Sequence, residues 1–291
     1  MRSAAGDIAT GGRLRELFDG VSVAPGSVPA LRLLAALHHL VLAGRAPELA
    51  AFYPSAGGVC PPDGAWPVAL RTLAEHGDWV HARLGRTVQT NDPGRAAVLF
   101  PALLWLTARY RLPIRLLEIG SSVGLILMAD RFSYQVDGME LGAPASTVRF
   151  ADPWKPPPAL DLAEAARRLC IVAREGCDPA PLDPRNPEDR LTALSYIWPD
   201  ERERLERARA ALRLAAEHPP PVVALMAEQW LPQALAGADD GQLTVVWQSV
   251  VRQYVEPESW GAIEAGCDEP RRPLARCGDH GPPVIWEGLR G

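Results

Sequence analysis

Hydrophobic and polar positions follow two patterns along the chain, and the change between them falls near residue 110. Before it, apolar residues recur at helical spacing, in a nearly all-apolar stretch at 27–43 and an amphipathic one at 67–84. A third helix is expected over residues 94–110, kinked or broken by Pro101. We therefore predict a helical N-terminal region over residues 1–110, with no clear strand.

Beyond residue 110, short apolar runs alternate with turns and helical patterns. The runs that predict strands are 114–119, 169–175, 222–226, 243–247 and 284–286, with a further short strand at 147–150. This alternation is typical of an α/β domain with a mostly parallel sheet, whose ligand lies at the carboxyl ends of the strands. Residues 132–168 form a longer connection than such domains need, and we interpret them as an insertion that includes a hairpin lying over the site. The second predicted domain is therefore an α/β domain over residues 111–291.

The first predicted strand leads into a turn of small residues at 120–124, and an apolar stretch at 125–128 is expected to open a helix. Glycine lets a ligand approach the backbone closely, and the free N–H groups at the start of a helix bind polar or anionic ligands. The residues Glu118, Gly120, Ser122 and Gly124 resemble the first motif of S-adenosylmethionine (SAM) methyltransferases, with serine in place of the middle glycine.

The same turn permits two other interpretations. Read as G-x-S-x-G, it matches the nucleophile elbow of α/β-hydrolases, with Ser122 as the nucleophile. It could also be a structural turn that uses glycine and serine for tight packing. An α/β-hydrolase builds several strands before its elbow, whereas here the first convincing strand carries the motif. The order of elements therefore favours a cofactor-binding turn.

Composition and charge narrow the class of protein. The 291 residues carry a formal net charge of -5, which gives no electrostatic case for binding nucleic acid. None of the five cysteines forms a C-x-x-C pair, so neither a metal site nor a disulfide framework is expected. The N-terminus lacks the apolar core of a signal peptide, and no apolar run reaches the roughly 18 residues needed to cross a bilayer. We expect a cytoplasmic protein that binds a small molecule and neither nucleic acid nor a membrane.

Two polar segments supply further candidates for a site. Residues 89–95 form a polar turn, in which amides beside the Arg95 guanidinium suit a carboxylate or phosphate, unless they only cap the next helix. Asp178 follows the second strand, where dinucleotide- and adenosyl-binding folds use an acid to accept hydrogen bonds from ribose hydroxyls. Asp178 could equally be a turn residue before Pro179.

An ordered set of motifs resembles the bacterial domain-of-unknown-function family 2332. The motifs are LLAALHHLVLAG (33–44), QTNDPGR (89–95), LLEIGSSVGL (116–125), DRFSY (130–134), GCDPAPLD (176–183), IWPDERERL (197–205) and VVWQSVVRQYV (245–255). The resemblance extends from about Leu31 to Trp286 and is more specific than the glycine turn alone. It implies a Rossmann-like, class I methyltransferase-like sheet behind a helical N-terminal region.

The resemblance also implies a set of site residues. Candidates for holding SAM are Glu118, Gly120, Ser122, Gly124, Asp178 and Glu228, with Asp178 at the ribose and Glu228 beside the adenine. Candidates for lining the pocket are Asn91, Arg95, Gln248 and Ser249. Two departures from the family pattern stand out. Gln248 replaces an expected histidine, and the chain ends soon after its fifth strand, so the last strands of the sheet are expected to be missing.

Three functions follow as hypotheses. The first is SAM-dependent methyl transfer to an unknown small molecule, which needs alignment more than acid–base catalysis. The second is a non-catalytic, ligand-binding or regulatory protein on the same fold, since fold does not determine function. The third is a serine hydrolase that uses Ser122, with His280 of the Asp279-His280 turn as the late histidine and the acid of the triad unassigned.

Overall fold

The computed structural model describes residues 6–7, 9–22, 27–237, 241–268 and 284–288, and it is a mixed α/β structure. The helices are α1 (Arg13–Leu17), α2 (Pro29–Leu42), α3 (Pro47–Ala50), α4 (Ala65–Leu84), α5 (Ala96–Tyr110), α6 (Leu162–Arg168), α7 (Pro187–Ser195), α8 (Arg202–Glu217), α9 (Ala227–Ala236) and α10 (Pro257–Asp268). The strands are β1 (Ile114–Ile119), β2 (Ser133–Val136), β3 (Met139–Gly142), β4 (Arg149–Ala151), β5 (Ile171–Asp178), β6 (Val222–Ala224), β7 (Leu243–Gln248) and β8 (Val284–Gly288). In the part of the chain described, no helix combines the length and apolarity that crossing a membrane requires.

The chain divides into two compact units. The helical unit comprises Met1–Thr90 and Asn186–Glu206, and the α/β unit comprises Asn91–Arg185 and Arg207–Gly291. The helical unit therefore ends before the predicted boundary at residue 110 and takes in a later segment. The reason is packing: α5 lies against α6 and residues 126–131, whereas α7 lies against α2.

The helical unit is organised around α2, which is buried along most of its length. Leu33, Leu37 and Leu40 of α2 pack with Val80 and Leu84 of α4 in one core cluster. A nearly all-apolar helix requires cover on every side, as its sequence predicts. The two histidines of α2, His38 and His39, are buried in the same unit.

The α/β unit contains a five-stranded sheet in the order β6–β5–β1–β7–β8, with every neighbouring pair parallel. The predicted strand positions are confirmed, including the fifth strand near residue 285. All residues of β7, and all but one of β1, are buried, as expected for central strands covered on both faces. On one face, Trp230 of α9 and Ile263 of α10 pack against Leu117 of β1.

The expected α-helix after the glycine turn is wrong. Residues Ile126–Arg131 form a six-residue 3₁₀ helix, which is interrupted at Met128. Arg174 of β5 accounts for this, because its guanidinium donates to the Leu127 carbonyl at 2.7 Å and to both Asp130 oxygens at 2.7 and 2.9 Å. An α-helix would need that carbonyl for its own i→i+4 hydrogen bond. The chain instead turns directly into β2.

The predicted insertion contains a second, three-stranded sheet in the order β3–β2–β4. Strands β2 and β3 form an antiparallel hairpin, whose turn residues Asp137 and Gly138 have φ of 47° and 77°. An Asp-Gly pair with two positive φ values is the favoured two-residue hairpin turn. The Tyr134 ring stacks on Phe100 of α5 at 4.1 Å and on Phe150 of β4 at 5.0 Å. Aromatic stacking therefore joins the insertion to helix α5 of the same unit.

Gly176 of β5 is required by the turn that follows β1, and Gly176→Ala is expected to destabilise the α/β unit by about 1–3 kcal/mol. A Cβ at this position would lie 1.9 Å from Ser121 Oγ, which itself donates to the Glu118 carbonyl at 2.8 Å. The free energy of unfolding by urea measures the loss. The matched control is Gly261→Ala in α10, where a Cβ meets nothing within 4 Å and a gain of about 0.5–1 kcal/mol is expected. Equal stability of the two variants would contradict the packing.

Candidate functional site

Most of the predicted site residues lie at the carboxyl ends of three neighbouring strands. Glu118 is near the end of β1, and Asp178 and Gln248 end β5 and β7. Strand register confirms the proximity, because Ile119 pairs with Cys177 on one side and with Gln248 on the other. We call the residues gathered here the strand-end cluster, and they are Asn91, Arg95, Glu118, Ser122, Asp178, Gln248 and Ser249.

Asn91 holds the glycine turn from outside the sheet. Its Oδ1 accepts a hydrogen bond from the Leu125 N–H at 2.8 Å, and the residue is buried. The neighbouring Asp92 caps the following turn by accepting from the Gly94 N–H at 2.9 Å. The structure therefore places Asn91 beside the glycine turn, where it holds the turn's backbone.

Asp178 joins the end of β5 to the same turn. Its Oδ2 accepts from the Ser122 N–H at 3.0 Å and its Oδ1 accepts from the Ala180 N–H at 2.9 Å. Asp178 therefore lies beside Ser122, a position that is compatible both with a ligand-binding role and with a role as a turn residue.

Glu118 is a buried acid at the centre of the strand-end cluster. It is 2% exposed, and its Oε2 makes no hydrogen bond. Burial raises the pKa of this carboxyl well above its usual value, and the nearby Asp178 charge raises it further. The Arg95 guanidinium and the Leu127 N–H favour the charged form but do not offset burial. An orphaned buried oxygen of this kind calls for a partner.

Arg95 and Gln248 hold the loop that follows β7. The Arg95 Nη1 donates to the Ser249 carbonyl at 3.2 Å and to its Oγ at 3.3 Å. The Gln248 Oε1 accepts from the Val251 N–H at 3.4 Å. Of the predicted pocket-lining residues, Arg95 and Ser249 thus contact each other directly.

The N–H groups of the glycine turn are largely used within the unit. Two of them donate to the Asn91 and Asp178 side chains, and those of Ser121 and Gly124 donate to backbone carbonyls at 2.9 and 2.6 Å. The expectation that this turn offers free N–H groups to an anionic ligand is therefore wrong for these four donors. A pyrophosphate-binding turn needs such donors to be free.

The glycines of the turn are explained by conformation and packing. Gly120 and Gly124 have φ of 69° and 80°, which side chains rarely adopt. A Cβ on Gly120 would lie 2.5 Å from Val251 Cγ2, and one on Gly124 would lie 2.6 Å from Pro220 Cγ. Conformation and packing therefore explain why these two residues are glycines, without any ligand. Evidence for a ligand has to come from the side chains around the turn.

Glu228 follows the edge strand of the sheet, near Cys177 of β5. It is in the first turn of α9, after the edge strand β6, and its Oε1 accepts from Ser259 Oγ of α10 at 3.4 Å. The sequence placed it beside an adenine because it follows the third strand of the sheet. Its hydrogen bond instead joins two helices on one face.

The backbone conformation of Ser122 agrees with its interpretation as a nucleophile, but the described residues place no histidine beside it as a base. Ser122 has a φ of 52° and is buried, and a strained, left-handed serine is what a nucleophile elbow contains. The late turn of Asp279 and His280, which was to supply the histidine, lies outside the described residues. Four of the other five histidines are in the helical unit, and His218 is exposed at the end of α8.

Val250 is a strained residue of the site that no sequence pattern indicated. It follows Ser249, is 47% exposed and has a φ of 63°, which is an outlier for a β-branched side chain. The left-handed conformation costs about 1–2 kcal/mol. Such strain is found at functional sites, where the surrounding structure enforces it. Here Val251 and Arg95 hold the two ends of the segment.

Val250→Gly is expected to raise the free energy of unfolding by up to about 1 kcal/mol, because it relieves the strain at the cost of some unfolded-state entropy. Thermal unfolding followed by circular dichroism measures the change. Val250→Ala keeps the penalty, since alanine also carries a Cβ, and it serves as the matched control. A glycine variant no more stable than the alanine variant would show that the loop is unstrained.

Comparison with known proteins finds one family. The model of the family described as "Uncharacterized protein conserved in bacteria (DUF2332)" matches residues 1–276. No curated protein and no solved structure matches the chain.

Proposed function

Because the chain belongs to DUF2332, a family of uncharacterised bacterial proteins, we propose its function from the strand-end cluster: the α/β unit is Rossmann-like, binds SAM and transfers a methyl group to a small molecule. The observation that carries this proposal is the buried, unpartnered Oε2 of Glu118 at the carboxyl edge of the sheet.

The order of the strands supports a Rossmann-like classification. Numbered along the chain without the insertion, the sheet reads 3-2-1-4-5, and all of its pairs are parallel. This is the order of the doubly wound nucleotide-binding folds, in which ligands bind where the order reverses. The reversal here lies between β1 and β7, at Glu118 and Gln248.

The charges around the reversal point favour a cationic ligand. Glu118 and Asp178 place two acidic groups beside the Arg95 guanidinium, and the N–H donors described above are already used. A bound cation supplies the nearby positive charge that favours the ionised form of Glu118. A sulfonium ligand with an ammonium group suits such a site, whereas a pyrophosphate does not. Among adenosyl ligands, SAM therefore fits better than a dinucleotide.

The residues have distinct proposed roles when SAM is bound. SAM supplies an activated methyl group. Glu118 accepts a hydrogen bond from the ligand's ammonium, Asp178 holds the ribose hydroxyls, and Asn91 keeps the glycine turn in place. Methyl transfer requires mainly that the acceptor be aligned with the methyl group, so the cluster needs no general base.

Isothermal titration calorimetry of the full chain tests the proposal. SAM and S-adenosylhomocysteine are expected to bind, whereas NAD⁺ and pyrophosphate are not. Glu118→Gln should weaken SAM binding, and Glu217→Gln, an exposed carboxylate at the end of α8, should leave it unchanged. Absence of heat with folded protein and millimolar SAM would refute the proposal.

The last residue of β7 favours a second candidate, a protein that binds SAM without transferring its methyl group. The Gln248 carboxamide is not a base, its Oε1 accepts from a backbone N–H, and Ser249 is held by Arg95. Incubation with methyl-labelled SAM and a metabolite extract separates the candidates. Labelled product indicates a transferase, and binding without any labelled product indicates a ligand-binding protein.

A further inference from the structure

We propose that the helical unit contains a second site, in which Ser55 is a nucleophile and His38 its general base, acting on esters with short acyl groups. The site is independent of SAM and of the strand-end cluster. All of its residues belong to the helical unit.

The hydrogen bonds of His38 determine its tautomer. Its Nδ1 lies 3.1 Å from the backbone carbonyl oxygen of Ser195, and its Nε2 lies 2.8 Å from Ser55 Oγ. A carbonyl can only accept, so Nδ1 carries the hydrogen and Nε2 presents its lone pair to the Ser55 hydroxyl. This is the arrangement of nucleophile, base and orienting acceptor found in serine hydrolases, with a backbone carbonyl in place of the carboxylate.

The elements that carry the pair are tightly held. His38 is 1% exposed within α2, and the Tyr53 ring lies 5.5 Å from its ring. Ser55 sits in the 3₁₀ turn Pro54–Ala56, which is followed by Gly58, whose N–H donates to the Tyr53 carbonyl at 3.0 Å. A Cβ on Gly58 would lie 2.3 Å from the Ala50 carbonyl oxygen, so the turn is packed against the chain beneath it. Ser55 itself is only partly buried.

A small cavity borders the base and limits the size of the acyl group. Its volume is about 40 Å³, and its lining includes His38, Tyr53 and the apolar side chains of Leu34 and Ile197. Ser55 does not itself line this cavity, which has room for a few small atoms and excludes long acyl chains. Trp198, which also lines it, is 43% exposed, so the wall of the cavity reaches the surface.

The reaction follows from these positions. Ser55 Oγ attacks the ester carbonyl carbon while its proton moves to His38 Nε2; the bond from that carbon to the leaving oxygen then breaks, and the leaving alcohol takes the proton. A water molecule repeats the sequence, which releases the carboxylic acid and restores Ser55. The Ser195 carbonyl is neutral and stabilises the imidazolium less than a carboxylate does, so turnover is expected only with activated esters.

The full chain is treated with a fluorophosphonate probe and, separately, with p-nitrophenyl acetate and p-nitrophenyl octanoate. We expect one phosphonyl adduct, located at Ser55 by peptide mass spectrometry, and hydrolysis of the acetate at least tenfold faster than of the octanoate. Ser55→Ala should abolish the adduct and reduce acetate hydrolysis at least tenfold. His38→Gln should reduce both at least tenfold.

His81→Gln is the matched control, because His81 is an exposed histidine of the same unit, and it should leave labelling and hydrolysis unchanged. Circular dichroism confirms that each variant is folded. An adduct at any other serine, or no adduct with hydrolysis equal to that of Ser55→Ala, would show that the Ser55–His38 bond is only structural. SAM binding is measured in the same variants and should not change.

Discussion

Glu118→Gln is expected to make the α/β unit more stable and to weaken SAM binding about tenfold or more. A buried carboxylate without a full set of partners destabilises a fold, and a neutral amide of the same shape removes that cost. The same amide cannot accept a charged hydrogen bond of the kind proposed for the ligand's ammonium, which contributes about 1.5–3 kcal/mol. Opposite changes in stability and affinity are the signature of a residue retained for binding.

The pH dependence of stability provides an independent check on Glu118. Its pKa in the folded protein is raised by burial above the ordinary value of 4.5. Because the folded state holds this proton more tightly than the unfolded state, the stabilisation is complete below pH 4.5 and is lost as pH rises through the folded pKa. Glu118→Gln removes the titrating group, so its stability should fall less over the same interval.

Urea unfolding at pH values from 4.5 to 8, together with SAM calorimetry, measures both effects. Glu217→Gln is again the control, and it should match the unchanged protein in affinity and in pH dependence. A Gln variant that binds SAM as well as the unchanged protein would remove Glu118 from the site. A Gln variant that is less stable at every pH would show instead that the ionised carboxylate supports the fold.

The strands of the main sheet could be predicted from the sequence because each is a short apolar run between turn residues. Buried central strands such as β1 and β7 need apolar side chains on both faces. An apolar run of only six residues is too short to be mistaken for a typical buried helix. The carboxyl-edge position of Glu118, Asp178 and Gln248 then follows from parallel topology alone. The positions of these three residues could therefore be predicted from the sequence.

The contacts that shape the turn could not be predicted, because they join residues distant in sequence. Arg174 prevents a helix at Leu127, and Asn91 takes the Leu125 N–H; neither residue has a local pattern that reveals its partner. The strain at Val250 depends on how its neighbours are held. The sequence shows that residue 250 is a β-branched valine, but it does not indicate that its φ is positive.

The division into units could not be predicted for a related reason. Helix α5 continues the apolar helical pattern of the first hundred residues, yet it packs on the α/β unit. Helix α7 lies between α/β elements in sequence, yet Arg83 of α4 donates to its Thr192 Oγ1 at 2.8 Å and pairs with its Glu188. Periodicity predicts which face of a helix is buried, but not which partner buries it.

Acidification is expected to destabilise the helical unit through His39, with most of the loss between pH 6.5 and about 4. His39 lies in α2, is 1% exposed, and its ring is 5.2 Å from that of Trp79. Its Nε2 is 3.0 Å from Glu188 Oε1, without the alignment of a hydrogen bond. Burial and the Arg83 charge lower the pKa of His39 from 6.5 to about 4, against the opposing effect of Glu188.

The sign follows from proton linkage. Above pH 6.5 the ring is neutral in both states, and the fold has its full stability. As pH falls toward 4, the unfolded chain binds a proton that the folded chain does not, so the free energy of unfolding decreases by about 1.4 kcal/mol per pH unit. The loss reaches about 3 kcal/mol where both states become protonated.

Hydrogen–deuterium exchange of the α2 amides, measured between pH 4 and 7.5 and corrected for the intrinsic rate, reports the stability of this unit. His39→Gln should flatten the pH dependence, because the amide does not titrate. His81→Gln, whose histidine is exposed in the same unit, should retain the steep dependence of the unchanged protein. If the His39 variant loses protection on acidification as steeply as the His81 variant, the acid sensitivity comes from another group.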